Sequence, residues 1–224
     1  MNRGITVQIG MIFILSICLM AISFVYMGIR LVVDSYVEST HQREVINVFE
    51  LIRESVIKID RGVPSRMIEA RMFEGSYFIN QTGLISVNNT TIYLYSLVYK
   101  NNNEEIAFEN GAIFRKINNK VFMIEEPFII SDNNTIRILV VSFYGEGSVA
   151  GRGILRLLFT NLGFDYHRIT NKTIIIKSDY YSEWANYLQK EGFTVKPDHN
   201  NKTVNVTSSK ALLVKILNIK VDFL

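Results

Sequence analysis

Seven asparagines stand two residues before a serine or threonine, which is the spacing that an acceptor site for N-linked glycans requires. With 20 Asn and 28 Ser or Thr in 224 residues, chance alone would give about 2.5 such triplets. Clustering of Asn and Thr in β-turns also raises the count. The excess predicts N-glycosylation, and hence an external location, for at least one of Asn80, Asn88, Asn89, Asn133, Asn171, Asn201 and Asn205.

The histidines lack the partners that metal binding requires. His41, His167 and His199 have no second His at i+4, and Cys18 is the only cysteine. A zinc site needs about four ligands from Cys, His or acidic side chains at short spacings. The sequence therefore predicts no metal site and no disulfide.

The Gly-rich segment and the paired acids also lack a catalytic pattern. Gly145–Gly153 has the spacing of neither phosphate-binding loop, and Ser148 within it lacks the G-x-S-x-G frame. Glu104-Glu105 and Glu125-Glu126 lie in or beside turns, where we expect solvated carboxylates with ordinary acidity. The sequence predicts no enzyme and no cofactor.

Composition excludes disordered and polytopic classes. Hydrophobic residues make up 48% and charged residues 20%, so the chain folds. Net charge is +3, with a mildly basic segment at 151–224 whose lysines and arginines are spread out. Nucleic-acid binding needs a denser basic patch, so no nucleic-acid partner is predicted.

One apolar run near the N-terminus predicts a membrane span. Residues Ile5–Ile29 are 25 residues without a charge, which as a helix cover about 38 Å against about 30 Å of hydrocarbon. Arg3 is the only charge before the run, which favours a cytoplasmic N-terminus and an extracellular remainder.

A cleaved signal is the alternative interpretation of this run. A secretory signal has a shorter apolar core of 7–15 residues and a small-x-small cleavage site, whereas this run is 25 residues long and lacks an Ala-x-Ala. A lipoprotein signal needs a small residue before the cysteine, where this chain has Ile17.

A second helical pattern follows the apolar run. The stripe Val37, Val45, Val48, Ile52, Val56 and Ile59 recurs at three- and four-residue steps with His41 as a partly buried member. Gly62 and Pro64 supply a stop. With no Gly or Pro from Tyr36 to Arg61, we predict one helix from Ile5 to Asp60, about 84 Å long.

The rest of the chain predicts β-strands with one late helix. Strand patterns alternate with Asn, Asp and Gly turns from residue 67 to 144, and Asp179–Glu191 predicts a helix capped by Asp179. The predicted fold class is α+β: a long N-terminal transmembrane-to-amphipathic α-helix packed on a mainly antiparallel β domain, a β sandwich, with one late helix. The strands predicted are Tyr77–Asn80, Leu84–Val87, Thr91–Tyr99, Ile113–Ile117, Val121–Ile124, Phe128–Ile130, Ile136–Tyr144, Ile154–Phe159, Thr173–Ile176, Phe193–Lys196, Val204–Val206 and Leu212–Phe223.

Four segments describe the predicted organisation. Residues 1–33 form a leader and transmembrane helix, and 34–62 form its amphipathic continuation. Residues 63–153 form a β-rich extracellular domain, and 154–224 form an α+β C-terminal part of the same head.

The layout resembles a type IV pilin, with a basic leader ending in Arg3-Gly4 and an apolar helix directly after it. The resemblance implies cleavage between Gly4 and Ile5 by a leader peptidase. Bacterial pilins carry Glu at the fifth mature position, where this chain has Ile9. The chain is more closely similar to uncharacterised archaeal secreted or pilin-like proteins, through Arg3–Gly10, the amphipathic segment to Arg66, Glu109–Phe114, Glu126–Phe128, residues 145–153 and Trp184.

The resemblance implies a membrane-anchored cell-surface structural protein, a subunit or minor subunit of a type IV pilus-like filament. Its expected partners are membrane lipid, identical or related pilin-like subunits bound through the N-terminal helix, and the leader peptidase and assembly machinery. The alternative is an anchored ectodomain that binds a surface component and does not polymerise.

Overall fold

A computed structural model describes residues 3–72, 74–87, 90–101, 104–132, 135–169, 173–208 and 210–224. The chain divides into two compact units, Met1–Glu44 and Val45–Leu224. The sequence boundary expected between 33 and 34 lies inside the first unit.

Two helices and fourteen strands make up the described elements. Helix α1 spans Arg3–Asp60 and helix α2 spans Tyr181–Lys190. The strands are β1 (Ser65–Met72), β2 (Ser76–Val87), β3 (Thr90–Lys100), β4 (Glu104–Glu109), β5 (Ala112–Ile117), β6 (Lys120–Glu125), β7 (Ile129–Ser131), β8 (Thr135–Tyr144), β9 (Ser148–Ala150), β10 (Gly153–Ile169), β11 (Thr173–Ser178), β12 (Thr194–Asp198), β13 (Thr203–Thr207) and β14 (Ala211–Phe223).

Helix α1 is continuous in the way the sequence predicts, with no break near residue 34. It ends in a Schellman motif: the N–H of Gly62 donates to the Ile59 carbonyl at 3.0 Å and the N–H of Val63 to the Lys58 carbonyl at 3.1 Å. Gly62 has φ +103°, which only glycine adopts readily. The predicted stop at this position is confirmed.

The second unit is built on two sheets. The smaller has the order β1-β10-β14-β8-β7, and the larger has β12-β13-β11-β2-β3-β4-β5-β6, with β9 paired to β2. Neighbouring strands are antiparallel except for β8 and β14, which are parallel. The coarse prediction, a β-rich domain with an N-terminal apolar helix and one late helix, is confirmed.

Side chains from both sheets meet in two buried clusters. One contains the predicted stripe of α1 from Val45 to Ile59 together with strand residues such as Tyr77, Leu157 and Leu217. The other surrounds Trp184 of α2. Phe49, which the stripe did not include, is fully buried and stacks on Tyr77 with ring centroids 6.2 Å apart.

Several strand boundaries differ from the sequence predictions. The two strands expected at Tyr77–Asn80 and Leu84–Val87 form one strand, because a bulge between Gln81 and Gly83 absorbs the irregularity without ending the pairing to β3. Strands β1 and β4 were not predicted, since SRMIEARM and EEIAFE carry charges that mask the alternation.

The late helix begins later than predicted. It starts at Tyr181, after Tyr180 as the N-cap residue, and no side chain caps it. The predicted cap Asp179 lies one residue before the N-cap position, and its Oδ1 forms an ion pair with Lys202 Nζ at 2.7 Å. Gly192 lies past the end as expected, with φ +84°.

Strands from the two predicted parts of the head alternate in both sheets. In the smaller sheet, β10 lies between β1 and β14, and in the larger sheet β11 pairs with β2. Residues 63–153 and 154–224 therefore share both sheets and both buried clusters.

Candidate functional site

Helix α1 exposes a long run of apolar side chains. Its large hydrophobic side chains from Met11 to Tyr36 are 50–71% exposed where described. The segment Phe13–Arg30 is long and apolar enough to cross a membrane, and none of it is buried inside the protein. Exposing such a surface to water costs about 25 cal/mol per Å², so an apolar environment would stabilise this helix.

The polar side chains within this segment are compatible with such an environment. The hydroxyl of Ser23 donates to the Leu19 carbonyl at 2.8 Å, which satisfies it inside the helix. Cys18 is exposed and free. Gly4 and Ile5, between which cleavage is predicted, lie in the first turn of α1.

Three of the seven predicted glycosylation sites belong to the described residues. Asn80 is exposed on β2, Asn201 is exposed in the turn between β12 and β13, and Asn205 is half-buried on β13. The Asn201 side-chain amide donates to Asp198 Oδ2 at 2.8 Å. The other four lie outside the described residues: Asn88, Asn89, Asn133 and Asn171.

A buried carboxyl group, which sequence reasoning did not identify, lies at the end of β4. Glu109 is 1% exposed. Its Oε1 accepts hydrogen bonds from Ser178 Oγ at 2.7 Å and from Trp184 Nε1 at 2.8 Å. Its Oε2 is hydrogen-bonded to the hydroxyl of Thr82, which lies 2.6 Å from Ser96 Oγ. One carboxyl group thus joins β2, β4, β11 and α2.

The environment of Glu109 favours its neutral form. Burial raises the pKa of this carboxyl above its ordinary value and outweighs the hydrogen bonds from Thr82, Trp184 and Ser178, which lower it. The nearby charge of Asp179 raises it further. Because the group is sealed from solvent, it cannot meet a substrate, and we interpret it as a polar joint of the core.

The two residues after Glu109 extend this joint to α1 and β8. Asn110 and Gly111 both have positive φ, +54° and +87°, and form the tight turn between β4 and β5. Asn110 Oδ1 accepts from the Val141 N–H at 3.1 Å, and the Gly111 carbonyl accepts from Arg53 Nε at 3.1 Å. A Cβ at Gly111 would lie 2.4 Å from the Phe128 ring, so only glycine fits.

The sequence of the Glu109-Asn110-Gly111 segment contains a pattern that indicates its turn. Asn-Gly between two apolar runs is the strongest short-range indication of a β-hairpin. Glu109–Phe114 belongs to the stretches that carry the family resemblance, and its hairpin is absent from the predicted elements.

Glu104 corrects the prediction that the paired acids are solvated. It is buried and forms an ion pair with Arg115, because β4 and β5 pair side by side at this point. Glu105 accepts a hydrogen bond from Tyr180 Oη at 2.9 Å. Of the second pair, Glu126 is exposed and lies 3.7 Å from Lys190, and Glu125 lies 3.9 Å from Arg53.

The histidines and the Gly-rich segment do not come together in one site. His199 Nδ1 lies 3.0 Å from Tyr181 Oη, and His167 is exposed on β10. Among the residues that the structure describes, no group of three or more His, Cys, Asp or Glu is placed to hold a metal ion. Part of the Gly-rich segment forms β9, which pairs with β2.

The described chain thus has the features of one class of protein: a single apolar helix long enough to cross a membrane, followed by a β-rich domain. Residues 3–222 match a family of unknown function, DUF7289, and the chain belongs to that family. No curated protein and no solved structure matches the chain.

Proposed function

We propose that this protein is a pilin-like, membrane-anchored structural protein of the archaeal cell surface and a subunit, major or minor, of a type IV pilus-like filament. The observation that carries the proposal is the difference in burial between two segments of α1. Its segment from Phe13 to Arg30 is exposed and strongly apolar on average, whereas its residues from Val45 to Ile59 contribute a buried stripe to the β-rich domain.

The exposed segment suits both of the environments that such a subunit occupies. An uncharged helix is stable in lipid because its backbone hydrogen bonds are satisfied internally. The same apolar surface can pack against identical helices, since lipid tails and apolar side chains offer equivalent surroundings. A subunit can therefore be stored in the membrane and later packed with related subunits through the same helix.

The proposal includes an orientation. With Arg3 as the only charge before the apolar run, the N-terminus is cytoplasmic and the β-rich domain extracellular. The exposed positions of Asn80 and Asn201 support glycan attachment there. Peptide mass spectrometry of native protein, with Asn201→Gln as control, is expected to detect a glycan on the peptide containing Asn201; an unmodified peptide would count against attachment at that site.

The experiment that tests the proposal is N-terminal sequencing of the native protein, followed by electron microscopy of material sheared from cells. We expect a mature chain that starts at Ile5 and filaments that contain it. A Gly4→Phe variant serves as control, because a bulky residue at the cleavage site blocks processing, and it should stay in the membrane.

An intact Met1 in native membranes together with filament-free shear fractions would contradict the proposal. That result favours the anchored ectodomain that binds a surface component without polymerising.

A further inference from the structure

The second half of β10 has a strand neighbour on one side only. Along residues 153–160 β10 pairs with β1, and along residues 157–169 it pairs with β14. The N–H of Asn161 donates to the carbonyl of Pro64, the residue before β1, at 2.9 Å, and the pairing on the β1 side ends there. Among the described residues, no strand pairs with the other edge of residues 162–167. The backbone of this open edge has no strand partner, and the N–H of Gly163 donates instead to the Asn161 side chain at 2.8 Å.

Apolar side chains line the open edge of β10. Leu162, Phe164 and Tyr166 are 54%, 53% and 69% exposed. The rings of Phe164 and Tyr166 meet edge to face with centroids 5.3 Å apart, and Lys215 Nζ lies 4.6 Å from the Phe164 centroid. The ring pair and its contact with Lys215 restrict the conformations of these two aromatic side chains.

Charged and polar side chains occupy the alternate positions of the same edge. Asp165 and His167 are exposed and, being two residues apart on a strand, share the face opposite to Phe164 and Tyr166. Asp165 Oδ2 accepts from Asn218 Nδ2 at 3.3 Å on the neighbouring strand. Charges on an edge strand discourage indiscriminate pairing, so a partner for this edge has to complement them.

A second copy of the same strand complements these charges in one register. When two identical strands pair antiparallel about a two-fold axis perpendicular to the sheet, facing residues lie on the same face and one residue faces its own copy. A centre at Asp165 places two carboxylates opposite each other, and a centre at His167 does the same with two imidazoles. A centre at Tyr166 instead places each Asp165 opposite the partner's His167.

We propose that the open edge of β10 is a homodimer interface, in which two chains pair antiparallel through residues 162–167 with Tyr166 at the two-fold axis. The pairing joins the two smaller sheets into one continuous sheet. It uses the β-rich domain alone and does not depend on a pilin-like function, so either inference can fail without the other.

A disulfide at the axis tests this register in the full-length chain held in detergent or native membranes. Facing Cα atoms in an antiparallel pair lie about 4.5–5.5 Å apart, within the range that a disulfide bridges. In a Cys18→Ser background, Tyr166→Cys is expected to give a dimer on non-reducing gels that a thiol reductant reverses. Tyr93→Cys is the matched control, because Tyr93 is 50% exposed but lies on β3 of the other sheet. Cross-linking of Tyr166→Cys no faster than Tyr93→Cys would overturn the proposal.

A charge exchange provides the second readout. Asp165→His places two imidazoles opposite two others, and His167→Asp places carboxylates opposite carboxylates. Each single variant should slow the Tyr166→Cys cross-link several-fold. The double variant restores one carboxylate opposite each imidazole and should recover the rate. If the double variant remains as slow as the single variants, the register centred on Tyr166 is wrong.

Discussion

Two segments of one helix show how differently the same apolar residue types can be used. Between Phe13 and Arg30 apolar residues lie on every side of α1, and none of this segment is buried. Between Val45 and Ile59 one stripe of apolar residues is buried, whereas the apolar Leu51 outside that stripe is exposed. A helix that is apolar all round needs apolar surroundings on every side, whereas a helix with one stripe needs a single folded surface. The pattern of polar residues therefore distinguishes the two environments.

The largest effect is expected from a charge in the buried stripe. Ile52 is fully buried, so Ile52→Asp places an unpaired carboxylate in the core and should lower the free energy of unfolding by about 5 kcal/mol. Leu51→Asp is the matched control, because the neighbouring Leu51 is 45% exposed. Denaturant unfolding of the two variants in detergent measures the difference. Equal loss of stability in both would contradict the assignment of the buried face.

A charge in the exposed segment tests whether that segment lies in lipid. Met20→Arg places a guanidinium near the middle of the apolar run and should make membrane insertion less favourable by about 3 kcal/mol. Folding of the β-rich domain should be unaffected. Thr40→Arg, outside the apolar run on the same helix, is the control, and the inserted fraction in a membrane-translation assay is the readout. Unchanged insertion of Met20→Arg would mean that lipid is not the environment of this segment.

The sequence predicts those parts of the fold that depend on interactions between residues close together in the chain. The apolar run, the stripe from Val45 to Ile59 and the stop at Gly62 depend on neighbours within a few residues, and the sequence predicts them apart from Phe49; the side chain of Val37 lies outside the described residues. The pairing of β10 with both β1 and β14, and the merger of two strands at the Gln81–Gly83 bulge, depend on residues far apart in the chain. Sequence periodicity carries no information about such partners.

The buried Glu109 shows the same limit of sequence-based prediction at a single residue. Glu109 ends a short strand and precedes Asn-Gly, which locally indicates a solvated turn. Its hydrogen-bond partners Thr82, Ser178 and Trp184 come from segments 27 to 75 residues away. Only the folded chain brings these donors to one carboxyl group, so neither its burial nor its raised pKa could be predicted from the local pattern.

A smaller effect than those of the helix variants is expected when this joint is removed. Glu109→Ala leaves the donors of Thr82, Ser178 and Trp184 without their acceptor in a buried site and should cost about 2 kcal/mol. Glu109→Gln is the matched variant, since its carbonyl oxygen can accept from Trp184 and Ser178 while its amide donates to Thr82. That substitution should cost under about 1 kcal/mol at neutral pH. Equal costs for both variants would mean that the amide of glutamine does not replace the hydrogen bonds of the carboxyl group.

The smallest effect is a pH dependence that separates Glu109 from its amide analogue. Because burial raises the pKa of Glu109 in the folded protein, the folded state keeps its proton at pH values where the unfolded chain has already released it. The unfolded state then binds fewer protons, so the free energy of unfolding falls as pH rises from about 4.5 to the raised pKa and levels off above it. Glutamine does not titrate, so the stability difference between wild type and Glu109→Gln isolates this contribution. Denaturant unfolding at several pH values should show wild type gaining on the variant as pH falls. A difference that instead grows with rising pH would mean that the three donors outweigh burial and hold the carboxyl group ionised in the core.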